Sequence, residues 1–245
     1  MVRTVDYQAR RSAVLARTIK KYIKDAAPVS SEELAPEFDL SAATIRNIFA
    51  DLEEGGYLTH PYTSGGRIPT NKGYRYYVDF LIAQMELLEG EKESIIKEYK
   101  RGVAQLEDLL ERTSGIISAV THYTGITSFL KWQDRVFYKG LGFILELPEF
   151  QNLAKMRYLV KMLEEKQHLL NIINREFSER VKIYIGQELG CPEMEGCSLV
   201  VSTYGAKNKP MGKLAVLGPM RMEYEHIIPT LEYISETLTE VLDRI

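Results

Sequence analysis

The chain has 245 residues, of which 45% are hydrophobic and 27% are charged, and its formal net charge is -3 at pH 7. This length exceeds a typical domain of roughly 150 residues and predicts two domains, while the composition excludes global disorder. The longest apolar run, around residues 141–148, is far shorter than the ~20 residues that span a bilayer, so we expect no membrane span. Because the N-terminus lacks the apolar segment of a secretory signal, we expect a cytoplasmic protein.

The residues that usually carry catalysis or bind metals are sparse. Cys191 and Cys197 have no second cysteine pair or neighbouring histidine to complete a zinc site, and we interpret them as reduced thiols. The four histidines are scattered, and no nucleophile-elbow or phosphate-binding motif occurs. The sequence therefore predicts no enzyme, no catalytic residue, no metal and no cofactor.

The basic residues are concentrated at the start of the chain. The first 24 residues contain seven Lys or Arg, Lys20 and Lys21 among them, against a single Asp. Residues 25–40 then carry five acidic residues and no basic one. This asymmetry predicts a basic face that can contact phosphates, and a solvated amphipathic helix explains it equally well.

Three helices are predicted in the first 55 residues. Helical spacing predicts the first helix from about Ala9 to Asp25, and a capping box formed by Ser30 and Glu33 opens a short second helix. Ser41 can cap a third helix that ends at the glycine pair 55–56. The apolar face of this third helix consists of Ile45, Ile48, Phe49 and Leu52.

A hairpin and a further helix are predicted next. Two short strands, 57–60 and 67–69, flank a turn-rich tip at 61–66. A helix follows from about Asn71 and continues to a break near Gly90. The order helix, helix, helix, hairpin is typical of a winged helix-turn-helix domain.

The third helix is the candidate reading element, because the second helix of a helix-turn-helix motif lies in the major groove. Its outward face, Ala43, Asn47, Ala50 and Glu54, combines small side chains with an amide that can bind adenine. Arg46 on the flank of this face can reach guanine or phosphate. An ordinary amphipathic surface helix is the alternative. The predicted DNA contacts are Lys20, Lys21, Ser41, Ala43, Thr44, Arg46, Asn47, Ser64, Gly65 and Arg67.

The hairpin tip contributes the last three of those residues. Ser64, Gly65 and Arg67 can bring backbone N–H groups and one guanidinium to the phosphates or the minor groove. The simpler alternative is that Gly65 and Gly66 only supply the positive φ of a tight turn.

A heptad-like apolar seam follows the break. Its members alternate in steps of three and four residues, which predicts a partner helix, although packing within its own domain is equally consistent because Gly102 and Gly115 weaken an isolated coiled coil. The seam consists of Ile96, Tyr99, Val103, Leu106, Leu110, Thr113, Ile117 and Val120. We predict homodimerisation through Tyr99, Val103, Leu106, Leu110 and Ile117.

The rest of the chain reads as a mixed α+β domain. A strand-rich piece at 126–147 is followed by a helical piece at 153–177. Short strands are expected near 181–185, 199–204 and 213–217, and a final helix begins at Tyr224.

Several segments closely resemble one family. They are Leu-Ser-Ala-Ala-Thr-Ile-Arg-Asn at 40–47, Thr-Ser-Gly-Gly-Arg-Ile-Pro-Thr at 63–70, Gly-Tyr-Arg-Tyr-Tyr-Val-Asp at 73–79, Leu-Pro-Glu-Phe at 147–150 and Gly-Pro-Met-Arg-Met-Glu-Tyr at 218–224. This pattern resembles the bacterial heat-inducible transcription repressor family, HrcA. Two departures stand out: Ala42 replaces the usual proline, and a long stretch that family members carry is missing between Thr127 and Arg135.

The resemblance implies a homodimeric repressor with a GAF-like C-terminal domain. Such a repressor binds an inverted repeat in double-stranded DNA ahead of chaperone operons and is kept active by the GroEL chaperonin. The fold we predict is mostly α with α+β, divided into a winged helix-turn-helix domain at 1–80, connecting and dimerisation helices at 81–123, and a GAF-like domain at 124–245. The alternatives are a winged-helix regulator that answers a small ligand and a non-catalytic protein-interaction scaffold.

Overall fold

The computed structural model describes residues 2–61, 66–81, 87, 89–99, 106–131, 135–175, 177, 179–206 and 209–244. The chain divides into two compact units, Met1–Gln84 (unit 1) and Met85–Ile245 (unit 2). Each unit has its own buried apolar core. The fold is therefore of the mixed α+β class, as the sequence predicts.

Unit 1 is built from four helices and a small hairpin. Its strands β1 and β2 are antiparallel, with Leu58 opposite Pro69, and Val29 forms an isolated antiparallel bridge to Arg67. The elements are α1 (Val2–Asp25), α2 (Ser31–Leu34), a 3₁₀ turn (Ala35–Phe38), α3 (Ala42–Glu54), β1 (Leu58–Thr59), β2 (Ile68–Pro69) and α4 (Asn71–Leu81).

The caps around α2 and α3 follow the sequence closely. Ser30 Oγ accepts from the backbone N–H of Glu33, whose carboxylate accepts from the Ser30 N–H, so the predicted capping box is confirmed. Asp39 adopts a left-handed φ of 52°, which turns the chain between the two helices. Ser41 then caps α3 through a 3.1 Å bond from the Thr44 N–H.

Unit 2 is organised around a five-stranded antiparallel sheet. The strand order is β4-β3-β7-β6-β5, so the first strand in the unit lies next to its last. The strands are β3 (Thr124–Phe129), β4 (Val136–Lys139), β5 (Val181–Ile185), β6 (Cys197–Ala206) and β7 (Lys209–Pro219). The three later strands lie where the sequence predicts them.

Helices cover both faces of this sheet. Ser202 on β6 bonds Ser235 on α10, which places α10 on one face, and α6 packs on β3 from the same side. Side chains of α8 and α9 form a core with alternate strand residues such as Leu199 and Val201 on the other face. The helices are α5 (Glu89–Tyr99), α6 (Leu106–Thr121), α7 (Leu141–Leu145), α8 (Leu153–Glu165), α9 (Gln167–Ile173) and α10 (Tyr224–Asp243).

Two local predictions are wrong. Helix α1 begins at Val2 rather than near Ala9. Residues 141–145, predicted as strand, form α7, because a short apolar run has no periodicity that separates strand from helix. The predicted helical piece at 153–177 contains α8 and α9, which are separated at Lys166, where φ is 55°. The predicted break near Gly90 lies just before α5, where Leu87 is not helical.

The predicted dimerisation seam packs against its own unit. Leu110 and Ile117 are completely buried, and Tyr99 is 8% exposed and bonded to Thr113 Oγ1 at 3.0 Å. The close approach of α6 to β3 depends on Gly125, where a Cβ atom would lie 2.8 Å from the Ile117 Cβ. These three side chains therefore face the core of the same chain rather than a second copy.

The predicted dimer contact also includes Leu106 and Val103. Leu106 is half-buried at the start of α6, and Val103 lies outside the described residues. The homodimer itself stays a prediction. Its interface has to use surfaces other than the three buried side chains, unless the core of unit 2 opens.

Candidate DNA-binding interface

The outward face of α3 is the centre of the candidate interface. Ile45, Ile48, Phe49 and Leu52 are 0–2% exposed, which confirms the predicted buried face. The opposite side of the helix presents Ala43, Arg46, Asn47 and Ala50 to solvent. An exposed helix with small side chains around an amide and a guanidinium fits the shape and chemistry of a major groove.

Ser41 and Thr44 lie at the N-terminus of this helix, and both hydroxyls take part in the cap. Ser41 Oγ accepts from the Thr44 N–H and lies 2.9 Å from Thr44 Oγ1. Because the cap fixes where α3 begins, these residues set the orientation of the first turn. Ser41 is exposed, so DNA bound at the N-terminus of α3 could contact its side chain.

The cations around α3 are matched by acidic side chains of the short α2 region. Arg46 Nη2 lies 2.9 Å from Glu32 Oε1, and Lys21 Nζ lies 3.9 Å from Glu33 Oε2. Arg17 on α1 pairs with Glu37 in the same way. Lys20 is exposed on α1. The predicted basic face is therefore an alternation of charges rather than a purely positive surface.

Arg67 does not extend outward as the sequence predicts. Its guanidinium lies 2.9 Å from Glu53 Oε2, its side chain is 21% exposed, and its backbone bonds Val29 in both directions. Arg67 thus fixes the base of the hairpin to the end of α3. Ser64 and Gly65, the other two residues predicted at the tip, lie outside the described residues.

The acidic end of α3 is neutralised by neighbours within unit 1. Tyr7 donates its hydroxyl to the Asp51 carboxylate, and this bond raises the pKa of Tyr7. Glu53 accepts from both His60 and Arg67. Partial burial works against ionisation of Glu53, but the His60 hydrogen bond and the charge of Arg67 hold its pKa below the ordinary value. The negative charges that would repel DNA are thereby partly compensated.

An aromatic cluster centred on Tyr57 was missed by the sequence reasoning. Arg11 and Lys72 lie over the Tyr57 ring at 5.4 and 4.5 Å, and the Tyr76 ring meets it edge-on at 5.6 Å. Tyr76 also donates to Ser12 Oγ at 2.6 Å. The cluster ties α1 and α4 to the hairpin, and the run of tyrosines at 74–77 is the only signal of it in the sequence.

The described part of the chain offers no metal centre and no activated thiol. No group of three or more His, Cys, Asp or Glu side chains that could hold a metal is found among the described residues. Burial raises the pKa of the Cys197 thiol to about 12, so the reactive thiolate is suppressed at neutral pH. No helix within the described ranges is long and apolar enough to cross a membrane.

In unit 2, two of the segments that carry the family resemblance meet in space. Arg221 binds Glu149 with both its Nε and its Nη2, the latter at 3.1 Å. The Tyr224 hydroxyl is buried and donates within the same region, to Ser198 Oγ at 2.7 Å or the Met220 carbonyl at 2.8 Å. The two-pronged contact between Arg221 and Glu149 joins residues 72 positions apart and gives both segments a structural role.

Comparison with known proteins finds similarity to HrcA proteins. The model of the HrcA protein C terminal domain matches residues 127–228. The heat-inducible transcription repressor HrcA of Desulforudis audaxviator is 28% identical over 337 residues, covering 96% of this chain and 98% of the relative. The same repressor of Geobacter sulfurreducens is 29% identical over 338 residues, covering 97% and 99%.

These alignments are longer than the 245 residues of this chain, so the relatives contain residues that it lacks. That agrees with the predicted missing stretch, whose position between Thr127 and Arg135 stays a prediction. A crystal structure described as that of a hypothetical protein at 2.2 Å resolution shares the fold. Its TM-score is 0.81 at 18% identity, and the match covers 96% of this chain and 98% of that one.

The two units, the five-stranded sheet and the exposed α3 define a mixed α+β protein. The sequence is similar to the heat-inducible transcription repressors HrcA over nearly the whole chain.

Proposed function

We propose that this chain is a DNA-binding transcription repressor of heat-shock genes, with unit 1 as a winged helix-turn-helix domain. The observation that carries the proposal is the outward face of α3, where Asn47 and Arg46 lie beside the small side chains of Ala43 and Ala50. Placed in a major groove, the amide can bind an adenine edge and the guanidinium a guanine or a phosphate. Lys20 and Lys21 supply phosphate contacts from α1.

We assign unit 2 to the GAF-like sensor and dimerisation role that the family resemblance implies. A dimer suits a repressor because two symmetric reading helices match an inverted repeat. The chaperonin partner belongs to the same proposal. It rests on the resemblance and on the name of the relatives, which are called heat-inducible transcription repressors.

The second candidate is a regulator that answers a small ligand in unit 2. An open groove of about 840 Å³ lies along α6, lined among others by Arg112, Lys139 and Phe143. Such a ligand would change DNA affinity when added to the purified protein. The family repressor would respond to chaperonin instead, so the two candidates differ in the effector.

The test is binding of the full-length protein to two labelled duplexes. One carries an inverted repeat from upstream of a chaperone operon, and the other is a scrambled duplex of the same composition. We expect tighter binding to the inverted repeat and a negative slope of log affinity against log salt concentration, because phosphate contacts release counterions.

Lys21→Gln should weaken binding to both duplexes alike and flatten the slope by about 1. Equal affinity for the two duplexes, or no dependence on salt, would reject the repressor. The interaction scaffold would then become the better explanation.

A further inference from the structure

The carboxylate of Glu32 and the guanidinium of Arg46 form an exposed pair on the candidate reading surface. Arg46 Nη2 and Glu32 Oε1 are 2.9 Å apart, and the two side chains are 62% and 64% exposed. The other carboxylate oxygen of Glu32 accepts from Ser31 Oγ at 3.0 Å. Since Ser31 is 7% exposed, a buried residue keeps this carboxylate directed at its partner.

The pair lies where DNA would lie. Arg46 is exposed next to Asn47 on α3, and Glu32 reaches it from α2, the preceding helix of the motif. In a helix-turn-helix complex the preceding helix crosses the phosphate backbone. A carboxylate at that position offers Arg46 the same kind of anionic oxygen as a phosphate does.

We propose that Glu32 is an intramolecular competitor for Arg46 that limits the affinity of the protein for DNA. The inference rests on the proposed DNA-binding function and adds a residue that sets its strength. Arg46 has to leave the carboxylate before it contacts phosphate or base, and Glu32 then remains beside the DNA as an uncompensated negative charge. Both effects weaken binding to DNA of any sequence.

The exposure of the pair determines the size of the effect. An exposed ion pair in water is weak, so Arg46 can exchange one anion for another without unfolding α2 or α3. Glu32 therefore lowers the affinity for DNA by a modest factor, and this factor depends on salt concentration. The same arrangement recurs at Lys21 with Glu33, where the separation is 3.9 Å, but Glu33 also completes the helix cap and cannot be tested without disturbing α2.

The experiment compares wild type with Glu32→Gln on the inverted-repeat and scrambled duplexes at several salt concentrations. We expect the variant to bind both duplexes about two- to fivefold more tightly at low salt. Its salt slope should be steeper by about 1, because Glu32 no longer offsets the charge of Arg46 in the complex and one more phosphate is neutralised. The advantage should shrink at high salt.

Two further variants separate this mechanism from general charge repulsion. Asp79→Asn also removes one negative charge and one ion pair from unit 1, since Asp79 lies 3.6 Å from Arg75 on α4. We expect it to leave DNA affinity within twofold of wild type. In an Arg46→Gln background, Glu32→Gln should lose most of its gain, because the competed cation is absent.

The results distinguish failure of the DNA-binding function from failure of the competitor role of Glu32. If wild type binds neither duplex in a salt-dependent way, the DNA-binding function fails and this inference fails with it. If wild type binds normally and Glu32→Gln matches it in affinity and slope, only the competitor role is overturned. An equal gain with and without Arg46 would also overturn it, since the charge of Glu32 would then act on the DNA alone.

Discussion

Helices α3 and α6 are both amphipathic, and in both the apolar stripe predicted a buried face. In α3 the stripe packs into unit 1 and leaves the opposite face, with Asn47, in solvent. In α6 the stripe predicts either a second copy or packing within its own domain, and Leu110 and Ile117 are buried in unit 2 of the same chain. An apolar stripe thus identifies the side that is covered, and does not identify what covers it.

The width of the stripe explains the difference. A two-helix seam needs only two apolar positions in seven, whereas a helix on a sheet buries a broader face. In α6 the neighbours Leu109 and Ile116 are buried as well as the seam positions. Helix α6 contacts strands of the β-sheet and also α10, which together bury more of its surface than a single partner helix would.

The largest effect is expected in α6. Leu110→Ala should destabilise unit 2 by about 2–5 kcal/mol, because it leaves a cavity in a fully buried site. Denaturant unfolding measures the change. Leu153→Ala is the matched control, since this leucine is 69% exposed and its loss should cost less than about 0.5 kcal/mol. Equal unfolding midpoints for the two variants would mean that α6 is not part of the core.

The next effect concerns the exposed face of α3. Asn47→Ala should cost about 1–3 kcal/mol in affinity for the inverted repeat, because an adenine edge loses a bidentate partner. Affinity for the scrambled duplex should hardly change. Binding assays on operators altered at single base pairs would locate the contact. If the variant binds DNA as tightly and as selectively as wild type, Asn47 does not recognise a base.

A smaller effect is expected at the cap of α3. Ser41→Ala should destabilise unit 1 by about 1 kcal/mol, because the Thr44 N–H loses its acceptor. Ser41→Asp keeps an acceptor at the cap and should recover most of the stability. Thermal unfolding followed by circular dichroism compares the three proteins. If alanine and aspartate behave alike, the side chain at this position does not stabilise α3.

The smallest effect is a pH dependence at the other end of α3. The pKa of Glu53 is lowered in the folded chain, so its stabilising contribution is complete above the unfolded-state pKa of about 4.3 and is lost as the pH falls through the folded value. The difference in stability between wild type and Glu53→Gln should therefore become smaller in acid. Unfolding midpoints at pH 7 and pH 3.5 measure this narrowing, and a constant difference would contradict it.

These contrasts show how far the sequence predicts the molecule. The buried face of α3 and the capping box at Ser30 follow from spacing within one or two turns, and both are confirmed. The partner of Arg67 could not be predicted, because Glu53 is 14 residues away and reaches it only through the fold of the hairpin. The contact between Tyr7 and Asp51 spans 44 residues and has no local signature.

The central strand pair determines when unit 2 can fold. β3 pairs with β7, and the facing residues Ser128 and Lys213 are 85 positions apart. Closing so long a loop costs entropy before any hydrogen bond forms, so folding of such a sheet is slow. During synthesis, one edge of β3 stays unpaired until nearly the whole chain has emerged. A half-built sheet with apolar strands exposed is therefore the stage at which this chain is most prone to aggregate.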